Sequence, residues 1–166
     1  MPCSVGGVDV PLHPDLGPVA FLLGTWEGEG RGSYPTIEPF GWRDTTRFWH
    51  VGKPTLLYEQ RTKDIETGEP RHAESGFIRP GAQPGQIEMV VAHNTGHTEL
   101  ATGVVGGERI EVGATRVQGT DTAKQVVELQ RVFDLSGDVL TVTLAMAAVG
   151  QPLTHHLEAE LTKVTT

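Results

Sequence analysis

Cysteine is nearly absent from this 166-residue chain: Cys3 stands alone. A single thiol excludes an internal disulfide and every cysteine-rich metal centre, and it suits a reducing compartment. Long apolar runs are missing too. Nothing approaches the ~20 residues a membrane helix requires. The stretch Pro18-Val19-Ala20-Phe21-Leu22-Leu23 is too short and too late for a secretory signal, and no basic segment precedes it. A cytoplasmic protein with no membrane partner is expected. Positive charge is scarce: 13 Lys+Arg against 21 Asp+Glu leave a net charge of −8. That balance excludes nucleic-acid binding, which needs clustered cations against phosphate. With 21 glycines and 11 prolines, long helices are excluded as well.

What remains is short and alternating. The length suits one domain that buries its own core. Residues 1–14, with Gly6-Gly7 and three prolines, read as an irregular arm, and 15–166 as a single domain. Asp15 to Leu23 is the one helical segment, N-capped by Asp15 and stopped by Gly24. After Gly24 the apolar period becomes two. Ten strands are predicted, at 24–33, 41–51, 54–64, 71–80, 85–93, 96–105, 108–117, 124–134, 139–148 and 153–163. In the ninth, Leu140, Val142, Leu144 and Met146 share a face. In the eighth, Val127, Leu129 and Phe133 oppose Glu128, Gln130 and Asp134. Turn chemistry separates the strands, as in Asn94-Thr95-Gly96 and Ser136-Gly137-Asp138. Ten tightly connected strands predict an all-β antiparallel meander. Closure into a barrel hides its edges and leaves room for a ligand. A two-sheet sandwich is the rival architecture.

Searches for common catalytic motifs return nothing: no phosphate loop, no His-Glu-x-x-His, no Gly-x-Ser-x-Gly. The carboxylates are scattered and offer no acid/base pair. Seven histidines are the chemical inventory, with His50, His93 and His97 read as structural. One segment is peculiar: Gly24-Thr25-Trp26-Glu27-Gly28-Glu29-Gly30-Arg31-Gly32. Alternate glycines strip one strand face of side chains, so the backbone can kink or approach something flat and bulky.

That segment carries a Gly-x-Trp-x-Gly-x-Gly signature on Gly24, Trp26, Gly28 and Gly30, followed by Tyr34-Pro35-Thr36-Ile37. Phe48 to Pro54, His72 to Phe77, Val91-Ala92-His93, Thr122-Ala123-Lys124 and Met146 to Leu157 continue in order. Across about 16–164 the chain resembles the nitrobindins. The resemblance implies a ten-stranded closed barrel of the fatty-acid-binding-protein type, carrying one noncovalent b-type haem per subunit. It implies isomerisation of peroxynitrite to nitrate by the ferric form, NO binding by the ferrous form, and a homodimer. It puts the axial iron ligand at His156 and haem contacts at Thr36 and Lys124, with His72 and Met146 as candidate pocket lining. No side chain beyond the iron ligand is expected to act as an obligatory acid or base.

Strand alternation alone points elsewhere. In an unbroken strand over 153–163, His155 shares a face with Leu153, Leu157, Ala159 and Leu161, and His156 faces away with Glu158 and Glu160. His155 is therefore the alternative ligand, unless a bulge after Pro152 shifts the parity. Two other functions stay open: a haem or NO carrier or sensor, and a carrier of fatty-acid-like ligands. The histidine pair weighs against the last.

Overall fold

The computed structural model describes residues 10–165. The segment expected as an arm falls mostly on residues 1–9, outside the described residues. Ten strands follow a short helical piece: β1 (Gly24–Tyr34), β2 (Ile37–His50), β3 (Leu56–Asp64), β4 (Pro70–Pro80), β5 (Gln86–His93), β6 (His97–Gly106), β7 (Arg109–Gly119), β8 (Val126–Ser136), β9 (Val139–Ala148) and β10 (Thr154–Lys163). Each pairs antiparallel with its neighbour in sequence, and β1 also pairs with β10. The sheet therefore closes into a barrel, as the meander predicted, and no free edge remains.

The helical piece departs from expectation. Pro14–Leu22 is a 3-10 helix rather than an α-helix, and His13 caps it by accepting from the Asp15 N–H. Pro18 within it has no N–H to give and would crowd a carbonyl four residues back, which favours the tighter winding. Leu16, Val19 and Leu22 are buried in the core, and the Trp26 indole donates to the Leu22 carbonyl at 2.7 Å. The segment thus plugs the barrel end where β1 begins. Trp26, Phe48, Leu56, Ile78, Ile110 and Phe133 pack above it.

The glycine signature has a packing cause. A Cβ on Gly28 would meet the Glu160 carbonyl oxygen at 1.9 Å, so β10 comes too close for a side chain. A Cβ on Gly30 would lie 2.2 Å from the Trp42 indole, which occupies the space instead. The flat group that the bare face admits is therefore the chain's own tryptophan. Gly30→Ala should cost ~1–3 kcal/mol through overpacking, read as a lower midpoint in urea unfolding with an unchanged slope.

Two of the barrel's register shifts overturn the simple alternation read for their strands. A register shift between Val126 and Glu128 turns Val127 outward, leaving Leu129, Arg131 and Phe133 inside. A second shift, between His155 and Leu157, bears on the site.

Candidate haem site

Antiparallel order brings the end of β1, the start of β2, the start of β4, the end of β9 and the start of β10 to one barrel mouth, opposite the 3-10 plug. A cavity of about 580 Å³ opens there, within the range of small-molecule sites. Its walls are largely apolar, with Phe40, Leu129, Leu144, Met146 and Leu157 among them.

His156 is the extra residue of the β10 bulge. Thr154 pairs with Met146, His155 with Ala145 and Leu157 with Leu144, so His156 has no partner across the ladder. The extra residue lets both His156 and Leu157 line the cavity, while His155 is exposed. A parity argument that assumes an unbroken strand therefore picks the wrong histidine as the inward one. His156 Nδ1 lies 2.9 Å from the Ser33 carbonyl, to which it donates, so the neutral ring carries its lone pair on Nε2. Burial pushes the ring below the usual imidazole range, only partly opposed by that hydrogen bond, and keeps it unprotonated. Tyr34 meets it edge-on at 5.1 Å between ring centroids. The Tyr34 hydroxyl donates to the Met146 carbonyl at 3.1 Å and accepts from the Ala148 N–H at 3.0 Å, tying β1 to β9 beside the histidine.

The other expected residues also converge. Thr36, Lys124, His72 and Met146 all line the cavity. Thr36 sits in the exposed β1–β2 turn and Lys124 is exposed at the rim, where it makes no ion pair among the described residues. Of the histidines read as structural, His97 is so: Nε2 donates to the Lys124 carbonyl at 2.6 Å and Nδ1 meets the Thr95 hydroxyl at 2.9 Å. The His50 ring accepts from the Gly52 N–H and shapes a turn. His93 is different, for it belongs to a charged cluster on the cavity that sequence reasoning missed.

That cluster lies at the cavity floor. Arg131 donates to Glu74 Oε1 and to Glu99 Oε1, the latter at 2.7 Å, and the Tyr58 hydroxyl donates to Glu74 Oε1 at 2.5 Å. All four side chains are buried. Burial pushes the Glu74 carboxyl up, but Arg131 and the two neighbouring imidazoles outweigh it and hold it well below the usual range. Burial likewise opposes ionisation of Glu99, and Arg131 again prevails. His93 is raised to about 9: burial disfavours its charge, but the Glu74 and Glu99 carboxylates favour it more. The signal was present in the sequence, since Arg131 shares a strand face with Leu129 and Phe133, and Glu99 with His97 and Ala101.

The donor set fits haem chemically. A neutral imidazole nitrogen in an apolar cavity is a suitable axial ligand, and a cation at the mouth can meet a propionate.

The chain was also compared with known proteins. The model of the THAP4-like, heme-binding beta-barrel domain matches residues 15–163. A relative from Mycobacterium ulcerans (strain Agy99), named Peroxynitrite isomerase 2, is 48% identical over 154 residues, covering 90% of this chain and 95% of the relative. One from Nocardia farcinica (strain IFM 10152), named Peroxynitrite isomerase, is 46% identical over 156 residues and 92% of each chain. The crystal structure of Rv2717c from M. tuberculosis superposes with a TM-score of 0.86 at 41% identity, covering 93% of this chain and 100% of that one.

Proposed function

Because this chain belongs to the THAP4-like, haem-binding β-barrel family, the nitrobindins, we propose that it is a haem-dependent peroxynitrite isomerase. Residues 15–166 act as one haem-binding unit, in the cytoplasm. The observation that carries this reading is His156: bulged into an apolar cavity, with Nδ1 committed to the Ser33 carbonyl and Nε2 left as the donor nitrogen. When bound, ferric haem supplies the redox-active iron at which the atoms of peroxynitrite are rearranged to nitrate.

The chain's own residues do the rest. His156 would give the iron a neutral imidazole nitrogen, and the Ser33 carbonyl fixes the tautomer and ring orientation, as an outer hydrogen-bond partner does for metal-bound histidines. Tyr34 and Phe40 hold that ring from two sides. Lys124, exposed at the mouth, would meet a haem carboxylate, and Thr36 would contact the bound haem. The apolar walls keep water and competing solutes from the reacting anion. Isomerisation neither adds nor removes a proton, so the reaction requires no acid/base pair. In its ferrous state the bound haem would also take NO.

Stopped-flow decay of peroxynitrite, with nitrate yield, tests the reading. Haem-loaded chain should accelerate the decay and raise the nitrate yield; haem-free chain should do neither. Haem uptake without acceleration would make the protein a haem or NO carrier. No Soret band on haem titration would leave only a carrier of apolar ligands.

A homodimer is part of the proposal. On the outer face Trp49 pairs with Leu57, Leu57 with Phe77, Phe77 with Val90, and Val90 with Leu100. Phe77, Val90 and Leu100 are 48, 39 and 49% exposed. This apolar row runs across five strands, and a second copy would cover it. Phe77→Glu should convert a dimer to a monomer in sedimentation velocity, with haem binding retained.

A further inference from the structure

His72 and Glu74 are two residues apart on β4, on the same face, and Glu74 pairs with His93 on β5. Their side chains converge on the cavity. His72 Nε2 lies 2.9 Å from Glu74 Oε2, His93 Nδ1 lies 3.0 Å from the same oxygen, and the two nitrogens are 3.2 Å apart. Ligands ~2.1 Å from an ion and at right angles stand ~3.0 Å from one another, so this triangle has the dimensions of one face of an octahedron. Two imidazoles and one carboxylate are also the facial donor set that holds divalent first-row ions while leaving positions open.

The surroundings match. Glu74 Oε1 is taken by Arg131 and Tyr58, which leaves Oε2 as the oxygen presented to the cavity. The His72 backbone N–H donates to the Thr62 hydroxyl at 3.0 Å, which anchors that residue. His93 has only 9% of its side chain exposed, yet its Nε2 has no hydrogen-bond partner and faces Glu99 Oε1 at 3.4 Å. That is the arrangement of a ligating imidazole whose far N–H is turned to an outer carboxylate. His93 Nδ1 lies within hydrogen-bond reach of both Glu74 Oε2 and His72 Nε2, and a cation at the centre of the triangle would take the place of the proton shared there. Near neutral pH His93 carries a proton that an incoming ion displaces; Glu74 and Glu99 then exceed Arg131 by one negative charge and face the ion.

We propose that His72, Glu74 and His93 form a binding site for one divalent first-row transition ion. It lies on the wall of the cavity facing β10 and is separate from His156. In the barrel order β5 stands five strands from β10 in either direction, on the opposite wall. The site needs no haem, so it stands or falls independently of the isomerase reading.

The test is titration of the full-length, haem-free chain with Co²⁺, followed by its visible d–d absorption, and with Zn²⁺ by calorimetry. One equivalent of either ion should bind. His72→Ala, at a residue whose side chain is 32% exposed and outside the Arg131 contacts, should keep the fold and weaken binding at least ~100-fold, as loss of a direct ligand exceeds the effect of losing an outer one. His93→Ala should do the same, and His156→Ala should leave ion affinity unchanged. Failure to take up an equivalent of either ion would overturn the proposal. So would unchanged affinity in folded His72→Ala, or loss of binding in His156→Ala.

Discussion

Replacing His156 by alanine should strip the chain of haem, while replacing His155 should not. The two residues are adjacent and chemically identical, so only the β10 bulge distinguishes them. Without His156 the haem keeps only apolar and rim contacts. Dissociation should accelerate by more than ~100-fold, because removing a direct ligand costs more than the ~10–100-fold seen for outer partners. His155 is exposed, and its loss should cost no more than the ~0.5 kcal/mol of an ordinary surface change. Peroxynitrite isomerisation should fall with haem occupancy in the first variant and persist in the second. The Soret position and the haem transfer rate to an apo-globin acceptor, measured side by side, decide it. A bleached His155→Ala beside an intact His156→Ala would move the ligand to the alternating position. Because haem has no thioether anchor in a chain with one cysteine, acid and organic solvent should extract it from the parent protein.

Arg131→Met should be the most damaging single change to stability. It leaves Glu74 and Glu99 buried without the cation that neutralises them, and breaking a buried ion pair on one side typically costs ~3–5 kcal/mol. The pH dependence gives the signature. In the parent, Arg131 holds both carboxyls below their ordinary pKa. Their contribution to stability is therefore complete above that value and is lost only as pH falls through the depressed folded-state pKa. In the variant, burial acts with less opposition and lifts the folded-state pKa. The penalty is then largest at neutral pH and shrinks as acid protonates the carboxyls. Urea midpoints of the two proteins should converge between neutral pH and pH ~4. Adding Glu74→Gln and Glu99→Gln to Arg131→Met should recover part of the loss at neutral pH, since no uncompensated buried carboxylate remains. Parallel curves for parent and variant would show that packing of the arginine stem, and not its charge, is what matters.

The sequence by itself determined the barrel. Period-two alternation from Gly24 onward and turn residues at each gap place ten strands within a few residues of those observed, because both signals act over a few neighbours. Neighbour-to-neighbour pairing then leaves closure as the way to satisfy both edges. The ordered motifs likewise pointed to the family and to His156, Thr36, Lys124, His72 and Met146, all of which line one cavity. Tertiary structure decided the rest. A bulge adds one residue to a ladder, and whether it occurs depends on the partner strand; alternation alone therefore put His155 and Val127 inward, and both are exposed. The buried group around Arg131 joins residues on β3, β4, β6 and β8, up to 73 positions apart. The sequence places Arg131 and Glu99 on apolar strand faces, but only the closed barrel shows which residues they meet, because a buried charge is tolerable only where its counter-charges arrive from distant strands.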